Sequence, residues 1–394
     1  MTVMRSELLA LKAGHVFDGV DVRPSGMVLI EDGVIGDVDF TGAAPPEHAT
    51  VTDFGPEAWL LPGLIDAHVH LCWDATDDAV AHVTSDAPET VLKTARAAAA
   101  ATLTAGVTTV RDLGDRDYLT LALREQVPPT QRPDIVVAGP PITARGGHCW
   151  FLGGETEGAD ALRAAVRERA ERGCDVVKVM ASGGAMTPGS NALDQQYDRS
   201  DLRLIADEAH RLGLTVAAHA HAVQAIADSL DAGFDTIEHF SFFTSEGVGL
   251  RQELLDEVVR RGTFVSLTVG MRPGKAPTPP AVVARFAALM DIVAKVIASG
   301  ARVVPGTDSG ISPGKPHGVY PYGLMQLAEL GMPNRQVLRC ATTEAAKAVG
   351  RAGRKGALLP CADADLLVLG SSPIDDISAI ADIRAVYRAG HRVR

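Results

Sequence analysis

From Leu60 onward the chain repeats one grammar: a short apolar run, then a longer stretch with apolar residues at helical spacing. The first run, LLPGLIDAHVHL (60–71), reads as one buried strand. Helical sequence follows from about Pro88 to Ala105, starting after Asp86 and stopped by Gly106. Next come the strand VTTVRDLG, a helix near Tyr118 to Gln126, and the strand DIVVAGPPIT. A glycine-rich loop and a helix from Ala159 to Arg172 precede the strand DVVKVMAS, and a helix beginning after Ser200 follows it. TVAAHAH, TIEHF, TFVSLTV and ARVVPGTD complete the series, with helices between them. Eight such units over roughly 280 residues suit a (β/α)8 TIM barrel, an α/β fold. An open doubly wound sheet would satisfy the alternation too. The barrel is favoured because chemically distinctive residues recur at the C-terminal ends of several strands, which closure brings to one mouth.

The two ends of the chain read differently. Up to about Phe54, LLALKAGHVFDG and GMVLIEDGVIGDV alternate apolar and polar residues, with Asp18-Gly19 and Asp32-Gly33 at candidate hairpin turns. After TTEAAKAVG, the segment GALLPCADADLLVLGSSP and the final AVYRAGHRVR return to that character. The ends therefore resemble each other and are expected to meet in one small β-sandwich. The expected division is 1–57 and 351–394 for the sandwich and 58–350 for the barrel.

Composition excludes several partners. With 46% apolar and 22% charged residues the chain is an ordinary globular protein. Its formal charge of −12 argues against nucleic acid or an anionic membrane surface. No run of about 18 apolar residues is present to span a membrane. The N-terminal apolar residues are broken by Glu7 and Lys12, unlike a signal peptide. Cys72, Cys149, Cys174, Cys340 and Cys361 are odd in number and dispersed, which fits a reducing compartment better than a disulfide framework. A cytoplasmic location is expected.

Side chains alternate faces along a strand, so His68 and His70 point to one side, with Asp66 in phase before them. Such a trio makes half of a plausible metal site, although a histidine pair near a surface turn is the blander alternative. Lys178 lies inside the apolar run DVVKVMAS, where a lysine ordinarily snorkels out or finds a carboxylate. His219 and His221 close the fifth strand, His239 the sixth and Asp308 the eighth. Any one of these histidines has an ordinary core or surface role as its default. Five histidines, a lysine and an aspartate at the ends of five strands make coincidence a poor explanation.

Taken together, these motifs resemble the metal-dependent amidohydrolase superfamily, in particular imidazolonepropionase-like proteins and binuclear-zinc dipeptidases such as prolidases and Xaa-Arg or Xaa-Lys carboxypeptidases. The resemblance runs over nearly the whole chain, through VLIEDGVIGDV, LPGLIDAHVHL, KVMASGG, VAAHAHA, TIEHF, PGTDSG and ADADLLVLGSSP. It implies two divalent metal ions, zinc foremost. His68, His70 and Asp308 would hold the more buried ion, and His219 and His239 the second. Lys178 would bridge both after its amine has reacted with carbon dioxide to give a carbamate, since an ammonium cannot ligate a cation and a carbamate offers two anionic oxygens. Imidazolonepropionase itself and the related deaminases use one metal and lack this lysine, so its presence implies the two-metal branch. In this resemblance the first histidine of HAH takes the metal and the second position meets the substrate's carboxylate. His221 is therefore a substrate-binding candidate, with a locally bonded interior histidine as the alternative.

The chemistry implied is hydrolysis of an amide C–N bond by a hydroxide held between two zinc ions, with Asp308 passing the proton from nucleophile to leaving nitrogen. Specificity is expected in the loops at the strand ends. ITARGGHCWFLGGE offers Arg145, His148, Trp150 and Phe151; Tyr197 and His317 are further candidates, and Trp73 and Asp74 could line the mouth. For the two aromatics, loop packing is an equal alternative. The expected substrate is a small molecule, a dipeptide or N-acyl amino acid with a free carboxylate. The alternatives are a cyclic amide or an aromatic amide or ester natural product. Some members of the superfamily have lost ligands and serve as assembly proteins, but every ligand position is filled here. The resemblance also implies a homo-oligomer.

Overall fold

A computed structural model of the chain describes residues 8–273 and 280–394. The middle of the chain is a mixed α/β structure of parallel strands and covering helices. Three strands, Leu64–Val69, Val107–Asp112 and Asp134–Val137, pair in chain order. Five more, Val176–Met180, Thr215–Ala222, Thr236–Thr244, Phe264–Thr268 and Arg302–Gly306, form a second parallel sheet, also in chain order. The two sheets touch at both margins. Ile142 N–H donates to the Lys178 carbonyl (2.8 Å) and the Asp308 N–H to the His68 carbonyl (2.7 Å), with parallel bridges at Ile142–Val179 and Val69–Ser309.

Local chemistry sets the helices. Pro88–Thr104 buries Ala95, Ala98 and Ala99, whose small side chains let the backbone approach the strands closely. Arg199–Arg211 begins just before the expected start because the Asp198 carboxylate caps it, accepting from the Asp201 N–H at 2.9 Å. This helix buries Leu202, Ile205, Ala206 and Ala209 at the expected spacing. No described helix is long and apolar enough to cross a membrane. All five cysteines are free thiols.

Strands from both ends of the chain share one sheet. Leu366–Leu369 runs between Ile383–Arg388 and Trp59–Pro62, and Trp59–Pro62 in turn pairs with His15–Phe17. A four-stranded sheet of residues from Leu9 to Asp53 lies beside it, and the two share a core that includes Leu11, Val28, Leu60, Leu366 and Val368. Asp32-Gly33 makes the expected tight hairpin, with both residues at positive φ (50° and 79°). At Asp18-Gly19 the connection is longer, and the Asp18 carboxylate organises it by accepting from the Val20 and Asp21 N–H groups.

One expectation is corrected. LLPGLIDAHVHL is not a single strand: Trp59–Pro62 belongs to the terminal sheet and Leu64–Val69 to the parallel one. The break falls at Gly63, where a Cβ would lie 2.1 Å from Thr108 Oγ1. Gly63→Ala should therefore force the two layers apart and cost about 1–3 kcal/mol, read as a lowered urea midpoint. A wild-type midpoint would contradict this packing.

Candidate metal centre

The strand ends carry the chemistry. His68, His70, His148, Lys178, His219, His221, His239 and Asp308 all line one cavity of about 350 Å³. Asp308 is the hub of one half: its Oδ1 lies 3.2 Å from His70 Nε2 and 3.5 Å from His68 Nε2. In the other half His239 Nε2 stands 3.0 Å from His219 Nδ1. Candidate ligand atoms of His68, His239 and Asp308 lie within 4.8 Å of one another, as do those of His219, His221 and His239. Geometry therefore offers His221 as well as His219 to a cation.

The ring is held from behind. His68 Nδ1 meets Glu238 Oε2 at 2.9 Å, and Glu238 Oε1 accepts from Arg111 Nη2 at 2.8 Å. Arg111 further donates to the Ala67 carbonyl and Thr236 Oγ1. Glu238 and Arg111 are fully buried. His70 Nδ1 faces the Gly114 carbonyl at 3.2 Å, and His239 Nδ1 faces Thr268 Oγ1 at 3.1 Å. Such partners fix each ring's tautomer and leave its other nitrogen for the cavity. Two members are strained: His239 (φ 68°) and Asp308 (φ 57°) occupy the left-handed region. Asp66 supports the second of these. It accepts from Thr307 N at 3.0 Å and Thr307 Oγ1 at 2.6 Å. Asp66 thus braces the Asp308 loop and does not join the histidines as a ligand.

The donor set fits a divalent cation. A tetrahedral zinc with ligand bonds of about 2.0–2.1 Å holds its donor atoms about 3.3 Å apart, close to the separations above. Burial pulls His68 to about 4, helped by the nearby Lys178 ammonium, and burial pulls His148 to about 4 and His221 to about 3. These imidazoles are neutral at pH 7, the form that ligates metals. Despite burial, Asp308 is held well below the usual carboxylate range, with the His70 hydrogen bond and the nearby Lys315 ammonium among the causes. Lys178 is 1% exposed, and its Nζ has no hydrogen-bond partner among the described residues. An isolated ammonium is an expensive group to bury, and burial brings Lys178 down to about 8.

Other expected site residues are placed elsewhere. The Arg145 side chain is 83% exposed and pairs with Glu157 at 3.8 Å. Trp150 is 45% exposed and sits over a surface depression formed with residues such as Asp77 and Val80. Tyr197 is buried, its hydroxyl donating to the Thr156 carbonyl. His317 is bound by the Trp73 carbonyl at 2.8 Å. None of these four lines the cavity. Asp74 pairs with His82 and Phe151 packs on Trp73, while Trp73 itself does form cavity wall. The sequence reading missed Arg111, Glu238 and Lys315. A signal existed for the first two, since each is a charged residue inside an apolar strand run, the same oddity that singles out Lys178. Removing the Glu238 carboxylate with Glu238→Leu strands the Arg111 guanidinium and should cost about 3–5 kcal/mol. An unchanged unfolding midpoint would show that this pair does not hold the base of the site.

Residues 59–393 match the profile of the amidohydrolase family. Ochratoxinase of Aspergillus niger is 29% identical over 235 residues, 58% of this chain and 48% of that relative, so the match spans about half the relative's length. A solved Xaa-Pro dipeptidase with methionine in its active site has a TM-score of 0.86 at 24% identity, over 98% of this chain and 100% of that one; this is a likeness of fold. A prolidase solved with N-methylphosphonate-L-proline has a TM-score of 0.84 at 27% identity, over 98% of this chain and 99% of that one. With its match covering all but the first strands, and a histidine-rich ring at the strand ends, the chain belongs to the amidohydrolase family.

Proposed function

We propose that the chain is a metal-dependent hydrolase that cleaves the amide C–N bond of a dipeptide or N-acyl amino acid bearing a free carboxylate. Its scaffold in this reading is a (β/α)8 barrel over about 58–350, with a β-sandwich built from 1–57 and 351–394. One observation carries the proposal: a buried Lys178 amine, without a hydrogen-bond partner among the described residues, shares a cavity with six histidines and Asp308. In a hydrolytic two-metal site a bridging anion would sit between the ions, and a carbamate on Lys178 would supply one.

The residues divide the work. His68, His70 and Asp308 would hold one ion and His219 and His239 the other, and Lys178, as a carbamate, would supply the anion between them. The carbamate forms when the neutral amine attacks carbon dioxide and loses a proton, and burial favours that neutral amine. Bound at this site, divalent ions, zinc in this reading, would supply Lewis acidity toward water and the scissile carbonyl. Asp308 accepts the proton of the attacking water at a carboxylate oxygen and returns it to the leaving nitrogen, which departs as an amine. His148 and His221, neutral at pH 7, donate hydrogen bonds to the substrate. A second reading, hydrolysis of an aromatic amide, is favoured by the apolar arc of Met186, Met271, Phe286 and Met290 along the same cavity and by the ochratoxinase relative.

Chelation should remove hydrolysis of dipeptides and N-acyl amino acids, and two equivalents of zinc per chain should restore it. Activity that survives metal removal would overturn the metal reading. A substrate screen in which only amides lacking a carboxylate react would overturn the dipeptide reading in favour of the second.

A further inference from the structure

A second cavity, of about 530 Å³, lies at the opposite end of the parallel strands from the histidine ring. Asp134, in its wall, is the first residue of the strand Asp134–Val137, whereas the ring is built where such strands finish. The volume falls in the range of about 300–1,000 Å³ common to small-molecule sites. Three separate stretches of chain furnish its cations: Arg132, then Arg351, Arg354 and Lys355, then Arg388. Among the described residues three carboxylates, of Asp32, Asp134 and Asp363, share the wall. In a chain of formal charge −12 this is a local reversal of sign.

Four of the five cations have aspartate partners. Arg351 pairs with Asp134 at 3.2 Å and Asp175 at 2.8 Å, and Arg354 with Asp363 at 2.6 Å. Lys355 lies between Asp363 and Asp365, and Arg388 pairs with Asp365 at 2.9 Å. Arg132 is the exception. It is more than nine-tenths buried, yet its guanidinium donates to the carbonyls of Val127, Pro133 and Arg124 and to no carboxylate among the described residues. Asp134 acts on it through space alone, while burial and the neighbouring Arg388 press it below its ordinary pKa. Three of its five N–H groups are used, so two remain. A buried guanidinium beside a second one, with no counterion in contact, is costly to keep.

Guanidinium groups grip oxyanions through paired N–H donors. Donors arriving from three segments suit a tetrahedral group, whose oxygens point in several directions, better than a planar carboxylate. No aromatic side chain lines the cavity among the described residues, so a nucleobase finds no stacking face there. We propose that this cavity binds a compact polyanion of the phosphate type, seated on Arg132 with Arg354 at its rim. Such a ligand joins Arg132, beside the parallel strand Asp134–Val137, to Arg388, the last residue of the terminal-sheet strand Ile383–Arg388. Its occupancy therefore stabilises the contact between the two layers. The inference stands apart from the metal reading above.

The test titrates inorganic pyrophosphate into the full chain at constant ionic strength, with calorimetry for affinity and hydrogen exchange to locate the site. The expected result is one saturable equivalent, slowed exchange in 350–355 and 388–390, and a raised urea midpoint. Arg132→Met and Arg354→Glu should each weaken binding about tenfold or more, the scale of one charge-assisted hydrogen bond. The Arg354 side chain is 71% exposed and pairs with Asp363, so its substitution spares the buried network should Arg132→Met fail to fold. Undiminished binding in Arg354→Glu, protection at the histidine ring in place of these segments, or an absence of saturable binding each overturns the site. Citrate, a polyanion of planar carboxylates, is expected to bind about tenfold more weakly, and equal affinity overturns the assignment to phosphate.

Discussion

The buried amine of Lys178 is the constraint around which the site is arranged. Every residue of its strand, Val176–Met180, is buried, and the amine faces the cavity with no hydrogen-bond partner among the described residues. An unpaired ammonium in such a place costs several kcal/mol, and a hydrophobic residue would pack there at no such cost. A carbamate would reverse the electrostatics: the group would become an anion among imidazoles, and a pair of cations between them would complete the balance. In this account the lysine is kept for the charge it acquires and not for the one it starts with.

The rest of the structure serves to aim donors at that point. Arg111 and Glu238 form an ion pair at the base of the ring, and the spare oxygen of Glu238 sets the His68 tautomer. Asp66 holds Thr307, and so holds Asp308 in a conformation that a non-glycine residue seldom adopts. Lys315 ties the carbonyls of Thr268 and Thr307 together across two strand ends. Each support is a polar side chain satisfied by a partner on a strand or at a strand end, so errors in strand pairing would be felt at the cavity. Rigidity of this sort keeps ligands in place between turnovers.

Much of this was legible in the amino-acid order. Period-two alternation put His68 and His70 on one side of a strand, and the strand–helix alternation implied that the ends carrying Lys178, His219, His239 and Asp308 would converge, as they do in one cavity. Sheet membership was less legible, because LLPGLIDAHVHL is apolar throughout whether it pairs once or, as found, with two different sheets. Loop side chains were the least legible. Nothing in the pattern around Arg145, Trp150, Tyr197 or His317 tells whether a side chain turns toward the cavity or finds a partner outside it. Met271 and Phe286 join the cavity through tertiary packing alone, which no local period encodes.

The central claim is that Lys178 carries a carbamate that bridges two metals. The most direct test is carbon NMR of the metal-loaded protein prepared in labelled bicarbonate, with Lys178→Ala as the reference. The account predicts one enriched carbamate resonance per chain that is absent from the variant, together with a lower metal content in the variant. A fully metal-loaded, active wild type without that resonance, or a variant that keeps its full metal content, would contradict it.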